Sequence, residues 1–333
     1  MNREDYIQTS VSTRVYEKGL LDLTTINRLI DASSLEDFQR ILSETSYSDV
    51  VKYLETRSEF DHALDVKLAD MYKEYYKITK DPEVVEILAS KYIFHNLKTV
   101  LKSYILKEDL THLIIPITDY DYRGLYEDLL ENNIATKEWK FKDSINKALA
   151  EYEDSNDPQR LDMTMDTDQN EYMIKLAEHL DSPLITEHIR NFIDVQNVNM
   201  TLRGKRQNHR INCVADFIIR GGNIPPDFYY QYYFEDTEEL VDELKKFDIY
   251  NSLKLGLDKT LKDNRLLHIR EATVNFLDKL ALKGKNITYG PEVLFSFMLR
   301  KEREVQLVRT IAIGKINELS PEDIRERTGE LIA

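Results

Sequence analysis

A proline-led run that the chain repeats on itself at nearly fixed spacing constrains its fold more than any other feature. Asp81-Pro82-Glu83 opens a run that reaches Asn96-Leu97-Lys98 and then Leu101-Lys102. Asp181-Ser182-Pro183 opens another that reaches Asn197-Val198-Asn199 and then Leu202-Arg203. Proline and asparagine stand 14 residues apart in both copies, and the copies are offset by 101 residues. Gly290-Pro291-Glu292 opens a third copy, which reaches Gln306-Leu307-Val308-Arg309 with one extra residue. Three copies in 333 residues predict three versions of one unit of about 110 residues. Near-symmetry of this kind points to a shape, such as a ring or funnel, rather than to a single catalytic cleft. Chance similarity between amphipathic helices is the competing explanation. The first pair argues against it, and the third copy taken alone would not.

Each opening reads as a helix start. Asp81, Ser182 and Gly290 can cap, a proline at the first helical position loses no hydrogen bond, and Glu83 and Glu292 suit the positive end. Behind them run Val85, Leu88, Tyr92, Leu97, Leu101 and Tyr104, then Ile185, Ile189, Phe192, Val198 and Leu202, then Leu294, Phe297, Met298, Val308 and Ile311. These spacings predict long helices with a broad apolar stripe. Fourteen residues rise about 21 Å and return to within about 40° of the same face, so proline and amide lie nearly in line. An amide there is expected to bond a neighbouring helix and fix register. A weaker echo precedes the long helices: Phe38-x-x-x-Leu42, Leu125-x-x-x-Leu129 and Leu240-x-x-x-Leu244. Each unit therefore reads as a small helical bundle leading into one long helix, with divisions at 1–112, 113–222 and 223–333.

Glycine (10) and proline (8) are sparse for this length, which favours an all-α fold. The longest apolar stretch, Val293 to Leu299, is far below the 18 or so residues that span a bilayer. Met1-Asn2-Arg3-Glu4-Asp5 has no apolar core behind it, so no signal peptide is expected. The lone Cys213 excludes an internal disulfide and fits a reducing cytosol. A net charge of −15 speaks against DNA, RNA or anionic lipid as the main partner.

One segment departs from that charge. Val195 to Val214 holds no acid, and Arg203, Lys205, Arg206, His209 and Arg210 cluster there. A solvated loop after the second long helix and a contact with an acidic protein partner are both open readings. A nucleic-acid site is disfavoured because no aromatic residue interleaves to stack bases. Arg203, Lys205, Arg206 and Arg210 are the candidate partner contacts. The string Phe228-Tyr229-Tyr230-Gln231-Tyr232-Tyr233-Phe234 suits either a protein interface or a packed connection between units.

Catalytic machinery is not legible. Gly314-Lys315 and Gly204-Lys205-Arg206 lack the upstream glycine or the following Ser/Thr of a phosphate-cradling loop. The seven histidines form no HxxxH or HExxH pair, so no imidazole pair is set for a metal. Asp166, Asp168 and Asn170 imitate the first ligands of a calcium loop. Glu171 and Ala177 stand where glycine and the bidentate glutamate belong, and a capped helix start with solvated acids is the expectation. No catalytic, cofactor or metal residue is assigned.

These motifs together resemble one family: the C subunits of the archaeal and bacterial V/A-type rotary ATPases, similar to the d subunits of eukaryotic V-type pumps. The match rests on Lys91-Tyr92 with His95-Asn96-Leu97-Lys98, and on Ile193-Asp194-Val195-Gln196-Asn197-Val198 with Leu202-Arg203-Gly204-Lys205. It rests most on Tyr289-Gly290-Pro291-Glu292-Val293-Leu294, Gly314-Lys315-Ile316-Asn317 and Leu319-Ser320-Pro321-Glu322-Asp323-Ile324-Arg325-Glu326-Arg327. Phe94 and Gln306 depart from the pattern, the latter standing in for an asparagine. The resemblance implies three similar helical-bundle units arranged with pseudo-threefold symmetry as a funnel. It implies a non-catalytic central-stalk socket without cofactor, joining rotor-shaft subunits of the D and F type to the membrane proteolipid ring. Such a protein would be peripheral at the cytoplasmic face of the membrane, in an ATP-driven proton or sodium pump or synthase, and would pass torque through rigid helices. A general helical-repeat scaffold and an all-α enzyme are the alternatives.

Overall fold

A computed structural model describes residues 2–207, 218–263 and 265–328. Every regular element among them is helical, so the all-α expectation holds. Unit one, by packing, comprises 1–82, 182–188 and 251–333, and unit two 83–181 and 189–250. The first opens with α1 (Ile7–Tyr16), α2 (Leu23–Asp31), α3 (Leu35–Ser43) and α4 (Arg57–Ile78). The chain continues through α5 (Glu83–Leu106), α6 (Tyr122–Leu130), α7 (Lys142–Ser155), α8 (Pro158–Leu180) and α9 (Pro183–Arg206). Then come α10 (Pro226–Tyr232), α11 (Thr237–Leu244), α12 (Ile249–Asp263) and α13 (Leu267–Leu282). The long α14 (Pro291–Ile316) and the short α15 (Pro321–Thr328) end it.

Local chemistry sets many of these boundaries. Asp22, Ser34 and Asp121 accept from Thr25 N, Asp37 N and Gly124 N at 2.7, 3.1 and 2.9 Å, capping α2, α3 and α6. Asp157 caps α8 ahead of Pro158, and Ser320 caps α15 ahead of Pro321. Left-handed Asp181 (φ 47°) ends α8, and Ser182-Pro183 restarts the chain as α9.

The long helices are cores rather than one-sided stripes. On α5, Val84, Ile87, Ala89, Ile93, Phe94 and Val100 are buried along with the predicted Val85, Leu88, Leu97 and Leu101. On α14, Val293, Leu294, Phe295, Phe297 and Met298 are buried in succession. α5 keeps one exposed edge at Lys91 and His95, and the rest of its circumference needs neighbours. In unit two α5 packs on α6, α7 and α8; in unit one α14 packs on α1, α3, α4, α13 and α15. Gly314 lets α15 lie close, since a Cβ there would sit 2.6 Å from Ile324 Cγ1.

The acidic run 162–171 lies inside α8 and is not a helix start with solvated acids. Asp162 pairs with Lys102 at 2.8 Å, Asp166 with Lys98 at 2.6 Å, and Asp168 with Lys147 at 2.7 Å. Two of these join α8 to α5 at matching four-residue steps, and the third joins α8 to α7. The acids face lysines that the local sequence does not reveal.

Candidate partner-docking site

The repeated asparagines do the same work in both copies. Asn96 Nδ2 donates to Ile115 O (2.7 Å), and Ile115 N donates to Asn96 Oδ1 (2.9 Å). Asn197 Nδ2 donates to Ile219 O (2.8 Å), and Ile219 N donates to Asn197 Oδ1 (2.9 Å). Both amides are fully buried. The partner is backbone outside any helix, not a neighbouring helix, and the amide meets both its N–H and its C=O. Gln306 makes no such clamp and is exposed. On α14 it is buried Glu304 that takes the Leu21 N–H, together with Tyr47 Oη at 2.8 Å and Lys301 Nζ at 2.6 Å.

One turn before Asn197, Asp194 is fully buried and accepts from Asn223 N (2.9 Å), Asn223 Nδ2 (3.0 Å) and Ile224 N (3.0 Å). Burial pushes its carboxyl above the usual range, while these three donors and Arg190 act the other way. Gly222 is required beside it, because a Cβ would fall 2.1 Å from Asp194 Oδ1. The loop Arg220 to Pro226 is thus held onto α9 from two adjacent turns.

Arg203, Lys205 and Arg206 of the basic cluster stand in the last helical turn of α9, while His209 and Arg210 lie outside the described residues. Cations there complement the negative end of the helix. Lys205 faces inward: its Nζ donates to the carbonyls of Tyr232 (3.2 Å), Tyr233 (2.7 Å) and Glu235, closing the end of α10. It lies 5.8 Å from the Tyr233 ring centre. Burial lowers its ammonium pKa, with Asp236 and Glu235 opposing. Arg203 and Arg206 are exposed and have no side-chain partner among the described residues. Arg210 lies outside the described residues. The candidate set therefore divides into one structural lysine and two outward arginines.

Lys315 behaves like Lys205. Also preceded by glycine, it donates from Nζ to Ala32 O (2.6 Å) beyond the end of α2, and burial lowers its pKa. The aromatic string is mostly packed: Phe228, Tyr229 and Tyr233 are buried, and Phe228 meets Phe247 edge-on at 5.2 Å. Phe234 is the exception, 72% exposed. In unit one a cavity of about 810 Å³ opens between α13, α14 and α15, lined by both arginines (Arg270, Arg303, Arg327) and acids (Glu271, Asp323, Glu326). Among the described residues no three His, Cys, Asp or Glu side chains gather as a metal site. No helix among them is long and apolar enough to cross a membrane.

The profile of the family described as ATP synthase (C/AC39) subunit matches residues 10–327. The chain belongs to that family. Among C/AC39 relatives, it is 26% identical over 329 residues to the C subunit of the V-type sodium ATPase of Enterococcus hirae, covering 97% of this chain and 98% of that one. It is 24% identical over 346 residues to the C subunit of the A-type ATP synthase of Methanocaldococcus jannaschii, covering 96% and 85%. The corresponding A-type ATP synthase C subunit of Thermococcus kodakarensis is 21% identical over 98% of this chain and 91% of its own length. For this C/AC39 member the motifs quoted above have structural duties: Asn96 and Asn197 clamp, Asp194 holds a loop, and Lys205 and Lys315 close helix ends.

Proposed function

We propose that this chain is the non-catalytic central-stalk socket of a V/A-type rotary ATPase. It joins rotor-shaft subunits of the D and F type to the membrane proteolipid ring and passes torque between them. The observation that carries this reading is the C/AC39 family match across residues 10–327, with relatives named as C subunits of both V-type and A-type enzymes. The protein hydrolyses nothing itself and sits peripherally at the cytoplasmic face, bound to protein rather than crossing lipid. Long helices buried over most of their circumference suit the role, because close-packed cores deform little under load.

The three-unit funnel belongs to the same proposal, with units near 1–112, 113–222 and 223–333. Its support is the pair of matching clamps, Asn96 on Ile115 and Asn197 on Ile219, the asparagines 101 residues apart and the isoleucines 104. Arg203 and Arg206 are the proposed acidic-partner contacts of the α9 end, with Arg210 beyond the described residues. Binding of the purified chain to the purified shaft and to the ring, at low and high salt, tests this. Reversing Arg203 and Arg206 to Glu should slow association and flatten its salt dependence for one of the two. Unchanged binding to both removes the docking role, and no binding of the native chain to either removes the socket.

A further inference from the structure

The openings of the three long helices read in the sequence as helix caps, and the residues there also bond to other parts of the chain. Asp81 Oδ2 accepts the Tyr6 hydroxyl at 2.6 Å. Ser182 Oγ donates to Glu292 Oε1 at 2.9 Å, joining the start of α9 to the first turn of α14. Arg3 closes the same carboxylate as a fork, Nη1 to Oε1 at 2.9 Å and Nη2 to Oε2 at 3.0 Å, and Nη2 also reaches Tyr289 O at 2.9 Å. Ser10 Oγ accepts Gly290 N at 3.3 Å, and Thr9 Oγ1 donates to Ile78 O at 2.8 Å. One N-terminal stretch thus touches the residues that begin α5 and α14, and reaches the start of α9 through a shared carboxylate.

We propose that residues Asn2–Ser10 are a clasp that ties the starts of the three long helices, with Arg3 and Tyr6 as its two points of closure. Two features mark the Arg3 point as built. The Glu292 side chain is only 3% exposed, so its charge needs Arg3, whereas most surface pairs contribute little. Gly290, at φ +142°, leaves room for the fork: a Cβ there would lie 2.4 Å from Arg3 Nη2 and 2.4 Å from Glu292 Oε2. The clasp follows from contacts within unit one and does not depend on the socket reading.

Amide hydrogen exchange on the full-length chain tests it. The first three amides of a helix have no intrahelical acceptor, so the readout is the next turn: residues 186–190 in α9 and 295–299 in α14. Arg3→Ala should raise exchange in both segments by about tenfold or more over wild type, with 96–101 in α5 unchanged. Ser182→Ala should loosen 186–190 alone, and Tyr6→Phe should loosen 87–90 alone. Gly290→Ala should reproduce Arg3→Ala. Loosening of α14 without α9 in Arg3→Ala would overturn the tie, and so would a uniform rise in every helix. If Arg3→Ala does not fold, Arg3→Lys keeps the charge and loses the fork. It should give the same pattern at smaller amplitude, and wild-type exchange in Arg3→Lys would contradict the clasp.

Discussion

A buried primary amide that meets one backbone N–H and one backbone C=O is hard to replace, because no other neutral side chain presents both groups in that geometry. Asn96→Ala and Asn197→Ala each leave a donor and an acceptor of Ile115 or Ile219 unsatisfied. Each should cost about 2–4 kcal/mol in denaturant unfolding. Gln306→Ala should stay within about 0.5 kcal/mol. The contrast has a geometric origin that the sequence contains: the extra residue in the third copy turns position 306 by about 100° around its helix. Val305 is buried there and Gln306 faces out. What the spacing could not show was that Glu304 would take the Leu21 N–H instead, since that partner lies 283 residues away. Asp194 adds a pH signature. Its folded pKa is raised by burial, so the folded state holds the proton more tightly than the unfolded one. Its contribution is therefore full below the ordinary carboxyl range of about 4 and is lost as pH rises through the raised value. Asp194→Asn should remove that fall from a plot of unfolding free energy against pH. An unchanged slope would assign it to other carboxylates.

The end of α9 shows at the scale of an element how one charged turn divides its labour. Lys205 closes the carbonyl end of α10, while Arg203 and Arg206 face solvent. Lys205→Met should lower stability by about 1–3 kcal/mol through the uncapped carbonyls. Arg203→Ala and Arg206→Ala should leave the unfolding midpoint unchanged. Loss of stability in the arginine variants would place them in the packing. The sequence made the start of α9 legible but not that Arg203, Lys205 and Arg206 close its last turn, since three cations in one turn look alike until the helix they meet is known. The acidic run of α8 was obscured for the same reason. Asp162, Asp166 and Asp168 read as solvated because Lys102, Lys98 and Lys147 come from other helices. The positions of α5, α9 and α14 followed from proline, cap and period. The breadth of burial on α5 did not, since Val84, Ile87 and Ala89 widen the stripe that the period alone would draw.

At the scale of the whole molecule, buried long helices, clamped returns and tied helix starts suit the proposed role of carrying load between two partners. Such a part should be dispensable for chemistry and indispensable for coupling. The most direct measurement deletes this chain from the membrane-bound ATPase and follows ATP hydrolysis and ion transport in the same vesicle preparation, with the released soluble motor assayed separately. The proposed socket role predicts that the motor still hydrolyses ATP while ATP-driven ion transport is lost, and that adding back the purified chain restores transport. Loss of ATP turnover by the isolated motor, or transport that persists without the chain, would contradict it.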